Sequence, residues 1–103
     1  MAKAYMFSFD LHSVKSTDVY TQIEEDIKAQ FPDSEKILNT TYVIVTSQAG
    51  LFDKLKAIFA KHIANENHYE FYFAQMAAKG LGWLTKTKWD SLNRILNKVA
   101  VYC

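Results

Sequence analysis

The chain has 103 residues, half of them hydrophobic and 22% charged, which allows one domain with its own core and excludes a disordered polar chain. A net charge of +1 excludes a strong overall field. The single cysteine, Cys103, excludes an intramolecular disulfide and cysteine-built metal clusters, and it points to a reducing compartment.

Ala4–Leu11 is dominated by aromatic and apolar residues, as in a strand covered on both faces, and it ends at Asp10-Leu11. Ser13 to Asp18 is polar and suits a turn, with Thr17 or Asp18 as the cap of a helix reaching about Gln30. Tyr20, Ile23, Ile27 and Phe31 fall on one face of that helix, and Pro32 stops it. Ser34–Leu38 is a short strand, Asn39 a turn or bulge, and Thr40–Thr46 the strongest strand, rich in β-branched and aromatic residues. The two form a hairpin. After a turn at Ser47–Gly50, a second helix covers about Leu51–Ala64, with Leu51, Phe52, Leu55, Ile58, Phe59 and Ile63 as its apolar stripe. Asn65-Glu66-Asn67 breaks it. His68–Gln75 alternates Tyr69, Phe71 and Phe73 on one face with Glu70 and Tyr72 on the other. Met76–Gly82 is a looser joint. Thr87-Lys88-Trp89-Asp90 resembles a capping box for a third helix over about Lys88–Val99, burying Leu92, Ile95, Leu96 and Val99.

The order is strand, helix, strand, strand, helix, strand, helix. Its first six elements are the split βαβ pattern of a ferredoxin-like α+β domain, a four-stranded antiparallel sheet carrying two helices. One such domain accounts for residues 1–103, with a core over about 4–75 and a helical extension over about 83–99. The apolar content of both strand faces calls for a second cover, supplied by the third helix or by another subunit. No internal repeat or linker is evident. Ser8, Asp10 and His12 interrupt the N-terminal apolar stretch, and no apolar run approaches the ~20 residues of a bilayer span. The expected location is the cytoplasm, with no membrane partner.

Glycine-rich phosphate loops and paired-histidine metal helices are missing from the sequence, and Cys103 is a poor candidate nucleophile. Asp10 is the most informative single residue. Aspartate is disfavoured within strands. At a strand's end its carboxylate suits a divalent cation, Mg²⁺ or Mn²⁺, that activates water against a phosphodiester, and two copies across a dimer axis would make a fuller ligand set. The competing reading is a cap of the following turn.

Charge is unevenly spread. Residues 79–103 carry five cations against Asp90, a net of +4, while the other 78 residues carry seven lysines against ten acids, a net of −3. Lys79, Trp83, Lys86 and Lys88, joined by Arg94, interleave cations with an aromatic ring that would hold phosphates and stack an unpaired RNA or DNA base. The competing and favoured reading has Trp83 and Trp89 closing the core beside solvated lysines. Tyr42, Tyr69 and Tyr72 include candidates for exposed strand positions, each either packing in a dimer contact or covering the sheet.

Four stretches carry a family resemblance: Tyr5-Met6-Phe7-Ser8-Phe9-Asp10-Leu11, Leu38–Thr46, Leu51-Phe52-Asp53-Lys54-Leu55 and His68–Phe73. Over about Ala4–Gln75 the chain resembles a diverged branch of the ferredoxin-like group that joins the second CRISPR-associated protein (Cas two) and the VapD toxins. The resemblance implies a homodimer packed sheet to sheet. It also implies either a weak metal-dependent ribonuclease or deoxyribonuclease with Asp10 as metal ligand and catalytic residue, or a non-catalytic scaffold. The chain departs from that group in having a single arginine, Arg94, and a helical Trp83–Val99 segment. Three functions therefore stand side by side: a metal-dependent endonuclease, a non-enzymatic module binding nucleic acid or protein, and a structural assembly subunit.

Overall fold

A computed structural model describes residues 1–14, 16–80 and 82–99. The expectation for Cys103 lies outside them. The elements are β1 (Lys3–Leu11), α1 (Thr17–Gln30), β2 (Ser34–Leu38), β3 (Thr41–Thr46), α2 (Leu51–His62), a 3-10 turn (Glu66–His68), β4 (Tyr69–Gln75) and α3 (Lys86–Leu96). They form one antiparallel sheet in the order β2-β3-β1-β4, the ferredoxin-like arrangement. No helix among the described residues is long and apolar enough to cross a membrane.

Strand alternation divides the apolar residues between two cores. Phe7 and Phe9 of β1, Tyr42 and Ile44 of β3 and Tyr69 of β4 point to the face that α1 and α2 cover, where they meet Ile23, Ile27, Phe31, Leu55 and Phe59. The rings interlock there: Phe59 stacks on Phe71 with centroids 5.4 Å apart and meets Phe9 edge-on at 5.2 Å. The opposite face presents Ala4, Ile37, Val43 and Val45, and α3 buries Leu92, Ile95 and Leu96 against them. The third helix is thus the cover that the second apolar face requires. It sits on the β2–β3 half and leaves the β1–β4 half open.

Several local expectations are corrected. Ser16 caps α1, accepting from the Asp18 N–H at 3.2 Å, in place of Thr17 or Asp18. Thr85 caps α3 by accepting from the Lys88 N–H at 3.3 Å, so the helix starts two residues before the Thr87 capping box. Asp90 then pairs with Lys86 one turn back and does not reach a cap. Phe52, expected in the apolar stripe of α2, is exposed and leans on Phe71 at the sheet edge. Tyr42 and Tyr69 are buried, and only Tyr72 of the three tyrosines is exposed. Gly50 precedes α2 at φ 69°, the left-handed region that glycine enters without a Cβ penalty.

Candidate functional site

On the second sheet face α3 stands on one side, and Met76, Gly80, Trp83 and Leu84 of the β4–α3 connection stand on the other. Between them runs a groove of about 440 Å³. Its floor is Met6 and Ser8 of β1 with Thr41 and Val43 of β3, and the Ser8 and Thr41 hydroxyls lie 3.1 Å apart there. Ile37, Leu38, Trp89 and Leu92 form the α3 side, and Met76, Trp83 and Leu84 the other. The lining is mainly apolar, with a few polar groups, which is the character of a ligand or peptide groove.

The two tryptophans divide. Trp89 packs against the second core, as the favoured reading expects. Trp83 does not: it is fully exposed, at 101% of its reference area, although it lines the groove. The backbone turns at Gly80, with φ 78°, just before it.

Three of the four cations proposed for nucleic acid make contacts within the fold. Lys79 lines the groove with its ammonium 5.3 Å from the Trp89 ring centroid, a cation–π contact. Lys86 donates to Asp90 at 2.8 Å, and that hydrogen bond raises the lysine pKa. Lys88 reaches back to the Ile37 carbonyl at 3.0 Å. Arg94 is exposed, near enough for its charge to act on Asp33. Asp33 is held below the usual carboxylate range chiefly by its hydrogen bond from Lys98, 2.8 Å long. Of the five residues expected to contact nucleic acid, only Lys79 and Trp83 share the groove.

Asp10 lies on the same face of β1 as Met6 and Ser8, outside the groove. It is exposed and stands opposite Glu70 of β4. Together with Ser8 and Tyr72 the two carboxylates line a shallow depression of about 280 Å³. Glu70 is drawn toward His12, whose Nε2 lies 3.4 Å away. Among the described residues no group of three or more His, Cys, Asp or Glu side chains is placed to hold a metal. The donors around Asp10 fall short of the six oxygens that Mg²⁺ takes, so most of its shell would be water.

Compared with protein-family models and with curated proteins, the chain matches none. The alternation of β1 already placed Met6 and Ser8 on the face opposite Phe7, so the floor of the groove was readable. Its walls were not, because Met76 and Leu84 lie on the connection between β4 and α3, where no period of the sequence fixes which side chain faces the sheet.

Proposed function

We propose that this domain is a non-enzymatic binding module that holds an apolar segment of a partner protein in the groove beside Trp83. The observation that carries this reading is the fully exposed Trp83 indole at the edge of an apolar groove. Covering an indole removes roughly 200 Å² from water at about 25 cal/mol per Å², on the order of 5 kcal/mol before the costs of association. Tryptophan is enriched among the few residues that carry most of the binding energy at protein interfaces. Nucleic acid is the less supported partner, since phosphate binding by Lys86 or Lys88 would give up the contacts with Asp90 and the Ile37 carbonyl. The endonuclease reading rests on Asp10 and the family resemblance, without a larger donor set beside it among the described residues. The cytoplasm is the proposed setting, in keeping with the one cysteine.

Selection of a displayed random-peptide library on the wild-type protein tests the proposal. The expected result is peptides carrying a large apolar residue whose binding weakens at least tenfold, about 1.4 kcal/mol, on Trp83→Ala or Met6→Glu. Salt-sensitive binding of single-stranded RNA or DNA, lost on Lys79→Glu, would replace the protein partner by a nucleic acid. Cleavage of either strand with Mg²⁺ or Mn²⁺, abolished by EDTA and by Asp10→Ala, would establish the nuclease reading instead.

A further inference from the structure

The two edges of the sheet differ. At the β2 edge the Ser34 carbonyl accepts from Lys28 Nζ at 3.0 Å, and the Ile37 carbonyl, beside a register irregularity, accepts from Lys88 Nζ at the same distance. Lysines and bulges are the devices that keep an edge from pairing. At the β4 edge no such contact is made among the described residues.

The bonding parity of β4 follows from two hydrogen bonds. Met76 donates to the Ala4 carbonyl at 2.8 Å, and His12 donates to the His68 carbonyl at 2.7 Å. In the shared register the even-numbered residues of β4 therefore bond inward to β1. The N–H and C=O groups of Tyr69, Phe71, Phe73 and Gln75 point outward.

We infer that β4 pairs with β4 of a second copy of this chain, antiparallel and centred on Tyr72, to make one eight-stranded sheet. The strand is self-complementary in that register. Tyr69 falls opposite Gln75 of the partner subunit, Phe71 opposite Phe73 of the partner subunit, and Tyr72 opposite its own copy, so all four outward residues find partners. Glu70, the only charge on the strand, faces Ala74 of the partner subunit and avoids a like charge. A shift of one pair either way leaves one of the four outward residues unmatched. The apolar edge is also prepared: Phe52 is exposed beside Phe71 at 5.4 Å, and Tyr72 is 74% exposed. This contact differs from sheet-to-sheet packing, because α3 stands on that face. It also sets the two copies of Asp10 three strand spacings apart, about 14 Å across the strands, which is too far to share a metal.

Sedimentation of the full chain over a concentration series tests the inference, with Tyr72→Lys as the variant. Tyr72 is exposed, so the change spares the core and places two ammonium groups opposite each other at the axis. The expected result is a concentration-dependent dimer weakened about tenfold or more by the substitution. A second measurement reads the register. In a Cys103→Ser background, Tyr72→Cys should form a disulfide dimer under mild oxidation, since opposed non-bonded pairs have Cα atoms about 4.5 Å apart, within disulfide reach. Ala74→Cys, whose opposite residue is Glu70, should not. A wild-type monomer at the highest soluble concentration would overturn the inference. So would a dimer that Tyr72→Lys leaves intact and Tyr72→Cys fails to lock.

Discussion

Single side chains show how similar residue types separate into different roles. Trp83 and Trp89 are six positions apart, yet one is bare and the other packs on Leu92 and its neighbours. Trp83→Ala should change unfolding free energy by less than about 0.5 kcal/mol, whereas Trp89→Ala should cost about 1–3 kcal/mol, less than a fully buried tryptophan. Urea titration distinguishes the two. Asp26 of α1 meets His62 of α2 at 2.6 Å, and that hydrogen bond is the largest cause holding its carboxyl below the ordinary value of 3.8. A depressed folded-state pKa means that the stabilisation is present above about pH 4 and is lost as the pH falls through the folded value. For this partly exposed pair the loss should be about 0.5–1 kcal/mol, and Asp26→Asn should flatten that part of the acid-stability profile. Tyr42 runs the other way. Burial, helped by the charge of Glu24, pushes its hydroxyl pKa up, so the neutral form is favoured in the fold and stability should decline above about pH 10. Phe remains neutral, so Tyr42→Phe should remove that alkaline component in a pH series of thermal melts.

At the scale of elements, α3 decides whether the sheet has one covered face or two. Its N-cap is Thr85, so Thr85→Ala should cost about 1 kcal/mol while Thr87→Ala costs markedly less. Chemical denaturation of the pair settles which threonine caps. Ile95 is completely buried against the strand face, and Ile95→Ala should cost about 2–5 kcal/mol, with hydrogen exchange rising first in α3. Much of this was legible beforehand. The stripe of Ile23, Ile27 and Phe31 and the alternation in β4 named the buried faces correctly, because the 3.6 and 2.0 periods were unbroken. The capping residues were not, since Ser16, Thr17 and Asp18, like Thr85 and Thr87, offer equivalent oxygens and only the chain's path selects among them. Phe52 departs from the apolar stripe for a related reason. It sits at the rim of a wide stripe, where a small rotation of the helix decides between core and solvent.

For the whole molecule, the sheet provides two different surfaces. The face between α3 and the residues Met76, Trp83 and Leu84 supplies the groove, and the β4 edge, on the far side of Asp10, supplies the proposed contact between copies. The order of elements along the chain and the need for a second cover could be read from the residues. The walls of the groove could not, because they form where α3 and the β4–α3 connection flank β1 and β3. The uneven charge of the chain is legible, and within the fold two of the C-terminal cations form surface pairs, Lys86 with Asp90 and Lys98 with Asp33. The most direct test of the central claim is a binding isotherm for a library-selected apolar peptide, measured on wild type, Trp83→Ala and Asp10→Ala at two salt concentrations. The account predicts at least tenfold weaker binding to Trp83→Ala, unchanged affinity for Asp10→Ala and little dependence on salt. Binding that is indifferent to Trp83 and fails in Asp10→Ala would contradict it.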